Sequence, residues 1–326
     1  MKSELDAEHI STLCRGFVES RLLLTAVELD IFTLLAGNWS RVEEIATPRG
    51  WDPRALRILL DALTVVGLLD KRAGKYSTTE LSAEMLARDG AYCVLDSALH
   101  GAELWQKWSK LTEHVVGTGQ RPALDSLRAF VGSMELQAPR LAPGIAALVR
   151  PERGCRLLDL GGGGGAYTVA FLIRDRTLDA TLFERADVLP ITREYLKDAD
   201  FLQQVRLVAG ELAVDEFPGA QDLVFLSAII DAFSLDQNRS IFRRAHAALN
   251  PGGRIVIRDH VMSADRLQPR AGTLFAVNML VATDGGDTYT FAELKAALES
   301  AGFVEVRLLQ DGERRNGVIE AFRPAS

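Results

Sequence analysis

Five consecutive glycines, Gly161 to Gly165, stand between the apolar run Cys155-Arg-Leu-Leu-Asp159-Leu160 and the segment Ala166-Tyr-Thr-Val-Ala-Phe-Leu-Ile173. A buried strand, a loop without β-carbons and then a helix bring backbone against a nucleotide-like ligand in α/β sheets. Gly161-x-Gly163-x-x-Ala166 satisfies the dinucleotide fingerprint, so a nicotinamide cofactor is one reading and a plain flexible loop another. Glu184 closes the next apolar run, Thr181-Leu-Phe-Glu184. A ribose diol offers two hydroxyl donors to one carboxylate, so an acid at that strand end suits any nucleoside cofactor. The alternative for Glu184 is a solvated strand-end charge. The glycines announce a cofactor without naming it.

The elements that must hold this loop are readable on both sides of it. Beyond residue 150 the pattern predicts strands at 155–160, 179–184, 204–209, 222–227, 253–259, 303–309 and 317–322. Helical stretches fall near 166–174, 188–198, 236–249, 271–282 and 291–301, which is the alternation of a doubly wound α/β sheet. Before residue 150 the chain reads as almost entirely helical, with an apolar face of helical spacing through Phe17, Leu22, Val27, Ile31 and Leu35. Asp52-Pro53 opens a helix that stops at Gly67, and two short strands surround a turn at Ala73-Gly74. Helices followed by a hairpin outline a winged helix. The helix that would enter a DNA groove carries Leu56, Ile58, Leu59, Leu60, Leu63, Val65 and Val66, with only Arg54 and Arg57 basic. A reader helix needs an exposed, donor-rich face, so burial against another subunit or the next domain is the expectation instead. A loop is expected at 117–122, and a boundary at Pro139–Pro143 and 151–154. The expected domains are 1–95, a linker at 96–150 and 151–326.

A net charge of −7 leaves no basic footprint for nucleic acid or an anionic membrane, and no stretch is long and apolar enough to span a bilayer. The start lacks a signal-peptide core, and Cys14, Cys93 and Cys155 are too scattered for a disulfide framework or zinc knuckle. Reduced thiols and a cytoplasmic location are expected.

Further motifs separate the cofactors. Gly210-Glu211-Leu212 follows the third strand, Asp222 to Ser227 forms the fourth, and Ala248-Leu-Asn-Pro-Gly-Gly253 leads into the fifth. With Asp159-x-Gly-x-Gly-x-Gly165 and Phe130-x-x-x-Met134, these make the chain strongly resemble the class I S-adenosylmethionine-dependent methyltransferases. More narrowly, it is similar over nearly its whole length to the homodimeric O-methyltransferases of plant phenolic and bacterial secondary metabolism. The resemblance implies a Rossmann-like seven-stranded α/β sheet with its last strand antiparallel, preceded by a mainly helical winged-helix-like dimerisation domain. It implies a homodimer acting on a small molecule, with no nucleic-acid or membrane partner. Carried over by position, Gly161, Gly163 and Gly165 approach the methionine and ribose portions, Glu184 binds the ribose hydroxyls and Asp159 lies beneath. Glu211, following Gly210, would hold the adenine amino group with Leu212 against the ring. Ser227 and Ala228 face the cofactor.

The resemblance also exposes a departure. The plant enzymes use a histidine just after the fourth strand as general base, flanked by orienting acids. Here that position is Asp231, Asp259 falls on the first acid, and Thr288 falls on the second and cannot act as a carboxylate. A solvated Asp, with pKa about 3.9, is a poor base for a phenol near 10 unless burial raises it. Ile229, Ile230, Ala232 and Phe233 surround it with apolar groups. Asp231 is therefore a candidate base or substrate-orienting acceptor, and helix capping is the alternative. His260 is the other candidate base, on the opposite strand face from Asp259. The three residues match no metal-ligand spacing. Met134, Phe233, Asn278 and Met279, with Trp105 and Trp108, suggest an apolar or aromatic substrate; core packing is the alternative for each. The expected reaction is methylation of a hydroxyl. Carbon or nitrogen methylation, a cofactor-binding relative that does not methylate, and a DNA-binding regulator are the competing readings.

Overall fold

The computed structural model describes residues 7–119, 125–136, 138–312 and 315–325. Part of the loop expected at 117–122, namely Gln120, Arg121 and Pro122, lies outside the described residues. The chain divides into two compact units, Met1–Pro122 and Ala123–Ser326, so the segment 96–150 is shared between them.

In the N-terminal unit, the helix Pro53–Val65 starts where Asp52 accepts the Arg54 N–H at 2.8 Å and Pro53 needs no donor. The chain leaves it through Gly67 at φ +83°. The hairpin follows as β1 (Leu69–Arg72) and β2 (Lys75–Thr78), antiparallel. Ala73 and Gly74, both at positive φ, form its turn. The apolar helix is buried within its own unit, against the helices Phe17–Glu28 and Val42–Ala46 and against β1. That corrects the expected burial against another subunit or domain. An apolar surface on so many sides is satisfied by local neighbours on three sides, leaving no polar face to read DNA.

One polar contact ties helix to hairpin. Asp61, buried on the helix, accepts from Tyr76 Oη at 2.7 Å, Lys71 Nζ at 2.6 Å and Arg57 Nη1 at 3.2 Å. Burial and the Asp61 charge together push the Tyr76 phenol well above its ordinary value.

The second unit is a seven-stranded sheet. Its strands are β3 (Arg156–Leu160), β4 (Asp179–Glu184), β5 (Val205–Ala209), β6 (Gln221–Ser227) and β7 (Leu249–Asp259). After a short pair formed by β8 (Val261–Met262) and β9 (Tyr289–Thr290) come β10 (Val304–Gln310) and β11 (Gly317–Phe322). The order is β10-β11-β7-β6-β3-β4-β5, and β11 runs antiparallel to both its neighbours. Near-continuous apolar strands are buried on both faces. One core lies under the helices Leu235–Ala248 and Phe291–Ser300, the other under Ala138–Val149, Ala166–Arg174 and Leu189–Asp198. The prolines expected to break the chain at 139–143 lie inside the helix Ala138–Val149. Its apolar residues Ala142, Ile145, Ala146 and Val149 pack on the sheet, and that burial outweighs the hydrogen bond lost at Pro143.

Strand order reverses about β3, opening a crevice at the carboxyl ends of β3, β4 and β6. Because β11 is antiparallel, its start reaches the same edge, with Gly317 paired to Asp259 at the end of β7. For the N-terminal unit, Asp61→Ala should cost about 3–5 kcal/mol, since it strands a buried phenol and two cations. Urea denaturation followed by circular dichroism checks this, and Asp61→Asn should cost less.

Candidate active site

The glycine loop leaves β3 with the Gly161 N–H donated to the Phe183 carbonyl at 2.8 Å. Gly161 takes φ +70° and Gly165 φ +94°. A β-carbon on Gly161 would lie 2.4 Å from Ile229 Cδ1, and one on Gly165 2.9 Å from Leu196 Cδ2. Only glycine tolerates both the angle and the crowding. Glu184 ends β4 and bridges two amides, accepting from Gly163 at 2.9 Å and Arg185 at 2.8 Å. Asp159 is buried beneath, where Oδ2 accepts the Thr168 hydroxyl at 2.6 Å. Burial pushes its carboxyl up to about 7, and the charges of Glu184 and Glu135 add to the shift.

The other expected cofactor residues are placed as follows. Gly210 packs on Phe183, whose Cζ would stand 2.2 Å from an added β-carbon. Glu211 is exposed, 3.9 Å from Arg185 Nε. Leu212 Cδ1 approaches Gly161, at 3.2 Å from the position a β-carbon would take. Ser227 Oγ accepts from Arg258 Nη1 at 3.4 Å. Ala228 adopts φ 59°, which a non-glycine residue seldom takes, while its N–H bonds the Arg258 carbonyl.

A second cluster assembles across the ends of β6 and β7. Asp231 sits in a single 3-10 turn, Ile230–Ala232, just after β6. It caps no helix: Ser234 caps Leu235–Ala248 through a capping box with Gln237. Arg315, in the connection before β11, brings Nη2 to 2.7 Å from Asp231 Oδ1 and 2.5 Å from Oδ2. Its Nε lies 3.0 Å from Asp259 Oδ1. The guanidinium stacks 4.4 Å from the Phe275 ring centroid, on the helix Arg270–Ala282. Asp231 and Asp259 are 2% and 1% exposed, so neither charge is shared with bulk water.

Burial, then the facing Asp259 charge, push Asp231 well above the carboxylate range, and Arg315 offsets only part of this. Burial presses Asp259 the same way, but the Arg315 guanidinium and a hydrogen bond from Asp231 hold it below its ordinary value. Asp231 Oδ2 and Asp259 Oδ2 are both buried without a partner of hydrogen-bond geometry. The opposite shifts mark Asp231 as the carboxyl of the pair that holds a proton more readily and Asp259 as the one that ionises more readily.

His260 is tilted against Phe275 at 5.3 Å, the same ring that Arg315 stacks on, with its backbone N–H on Asp259 Oδ1. Burial drops its imidazole to about 4, and the nearby Arg315 and Arg258 charges work with burial against the attraction of Asp259. It is neutral and a weak base at physiological pH. Thr288 is buried, and its carbonyl accepts from Arg266 Nη1 at 2.5 Å. Phe233 is half-buried, Met279 buried, Met134 partly exposed on the helix Ser126–Glu135, and Asn278 exposed. Arg315, Phe275 and Glu135 were not singled out in the sequence. No motif surrounds them, and only the fold brings them to the site.

A family model for the O-methyltransferase domain matches residues 149–304, and one for the O-methyltransferase dimerisation domain matches residues 11–88. The tetracenomycin polyketide synthesis 8-O-methyl transferase of Streptomyces glaucescens is 31% identical over 91% of both chains. The chain belongs to the S-adenosylmethionine-dependent O-methyltransferases. A 3-hydroxy-5-methyl-1-naphthoate 3-O-methyltransferase of Streptomyces sahachiroi is 28% identical, covering 96% of this chain and 94% of the relative. A crystal structure of an O-methyltransferase family 2 protein from Planctomyces limnophilus, in complex with apigenin, superposes with a TM-score of 0.81. It shares 24% identity and covers 98% of this chain and 97% of its own, supporting the fold.

The methyltransferase's glycine loop fits its cofactor on two grounds. Its backbone is bare where a β-carbon would collide, and the acids beside it, Asp159, Glu184 and Glu135, suit a ligand carrying a sulfonium, an ammonium and a ribose diol. The buried Asp159 carries a pH signature. Its folded pKa lies above the unfolded one, so its contribution to stability is fully present below about pH 4 and lost as pH rises through about 7. Asp159→Asn removes that dependence. Urea unfolding at several pH values should show the wild type losing roughly 4 kcal/mol relative to the variant between pH 4 and 8.

Proposed function

We propose that this methyltransferase, which acts on small aromatic or apolar metabolites, methylates a phenolic hydroxyl and that Asp231 receives the hydroxyl proton. The observation that carries this is the carboxyl at the position of the family histidine, buried and hydrogen-bonded between Arg315 and Asp259. The relatives support the acceptor class, since both named enzymes methylate oxygen on polyketide or naphthoate compounds.

S-adenosylmethionine, when bound, supplies a methyl group already activated on sulfonium, so the protein's work is to position the acceptor and manage one proton. Glu184 would hold the ribose hydroxyls after exchanging its bonds to the Gly163 and Arg185 amides. Asp231, once ionised, has a proton affinity much closer to a phenol's than a solvated carboxylate has. Arg315 keeps that ionised form attainable, and Asp259 holds the guanidinium in place. Phe233, Met279 and Met134, with Asn278 at the rim, supply the apolar contacts expected of the acceptor's pocket.

The working protein is a homodimer. This is supported by the match to the dimerisation family and by Ile10, Leu13 and Phe17, which are at least half exposed near the start of the chain. A cytoplasmic location fits the three free cysteines, and no helix among the described residues is long and apolar enough to cross a membrane.

A base must be deprotonated to act, and Asp231 is raised. Turnover should therefore go on climbing with pH above the range in which a solvated carboxylate has already ionised. Asp231→Asn should lower kcat by about a hundredfold or more and abolish the climb. Labelled-methyl assays across pH on a panel of hydroxylated naphthalenes and anthracenes read both effects. Full turnover by the Asn variant at every pH would dismiss Asp231 as base, and product NMR showing a new C–methyl bond would replace oxygen by carbon as the acceptor.

A further inference from the structure

Glu135 ends the helix Ser126–Glu135 and lies directly on the glycine loop. Its Oε1 accepts the Gly164 N–H at 3.1 Å, and its carboxylate also accepts from the Ala166 amide. A β-carbon on Gly164 would stand 2.5 Å from Glu135 Cδ, so the side chain packs against bare backbone. The placement is set by packing. Val131 on the same helix is buried against Val188 and Ile191, and Arg128 bonds Glu194 at 2.6 Å.

The loop is therefore gripped by two acids on neighbouring amides. Glu184 takes Gly163 and Glu135 takes Gly164, while Asp159 lies beneath. Burial raises all three carboxyls, and the charges of Glu184 and Glu135 raise Asp159 further. Among the described residues, the cationic side chain acting on this group is Arg185, at Glu184, while Glu135 is held by the Gly164 and Ala166 amides. Desolvating a carboxylate this way is costly unless a cation completes the site.

The cofactor presents donors at two points along its length: the hydroxyls of its central ribose and the α-ammonium of its methionine portion. We propose that Glu135 binds that α-ammonium group, as Glu184 binds the ribose. On loading, Glu135 gives up the Gly164 and Ala166 amides at the start of the helix Ala166–Arg174. A helix N-terminus so freed suits the cofactor's α-carboxylate. In the ligand-free protein Glu135 stands in for that carboxylate. This rests on the cofactor assignment and adds a recognition residue to it.

Three ligands separate the contributions by isothermal titration calorimetry on the full chain. S-adenosylhomocysteine has ammonium and carboxylate, S-adenosyl-3-thiopropylamine keeps only the ammonium, and 5′-methylthioadenosine has neither. Glu135→Gln retains an acceptor for the Gly164 amide and removes the charge. It should weaken the first two ligands by about tenfold or more and leave methylthioadenosine within about twofold. On the wild type alone, acidification should weaken S-adenosylhomocysteine more than methylthioadenosine, because both ligands use Glu184 and only one uses Glu135. Equal losses for all three ligands, or unchanged affinities in the variant, would overturn the role of Glu135 and leave the cofactor assignment standing. A wild type that binds none of the three overturns both.

Discussion

Two buried carboxyl groups facing a buried guanidinium fix the character of the edge across β6 and β7. Removing a charge from water costs several kcal/mol, so each of these groups shifts with its neighbours. Asp231 is pushed up by burial and by Asp259, while Arg315 and the hydrogen bond from Asp231 hold Asp259 down. The surrounding architecture follows from that need. The 3-10 turn after β6 presents Asp231, the end of β7 presents Asp259, and Phe275 covers the open face of the guanidinium. The antiparallel β11 matters most, because its start is the part of the sheet that can deliver Arg315 to the same edge.

What was legible in the sequence was whatever is local to a strand end. The glycine loop, Asp159 and Glu184 announce themselves because a strand, a turn and a helix are adjacent in the chain. Asp231 and Asp259 were legible through the resemblance, which placed them at the base position and the first orienting acid; the parallel neighbours β6 and β7 bring them together. Arg315 was not, since it meets its partners across 56 and 84 residues through the register of the last strand. Glu135 was passed over although Phe130 and Met134 drew notice to its helix, because its meaning comes from an amide 29 residues away. The helix Ala138–Val149 lies in the part of the chain that reads as helical, but where a boundary was expected. Its prolines signal a break, and only the buried row Ala142, Ile145, Ala146 and Val149 explains why the helix continues.

The two halves of the site carry opposite electrostatic logic. Around the glycine loop, Asp159, Glu184 and Glu135 stand with little cationic relief, an arrangement that favours a positively charged ligand. Across β6 and β7, Arg315 pairs with both carboxyl groups. Methyl transfer has a use for both conditions. A cationic donor gains from uncompensated acids, whereas an acceptor hydroxyl gains from a carboxylate whose proton affinity burial has raised.

An aspartate in place of a histidine need not mean a lost activity. In water the exchange would be ruinous, because a carboxylate near pH 4 lies about six units below a phenol. Burial and Asp259 narrow that gap by raising Asp231. Arg315 pulls in the other direction and limits the rise. His260 marks the contrast: the same burial that strengthens Asp231 as a base weakens an imidazole, because it penalises the charged form of each. In a pocket this dry, a carboxylate gains proton affinity where an imidazole loses it.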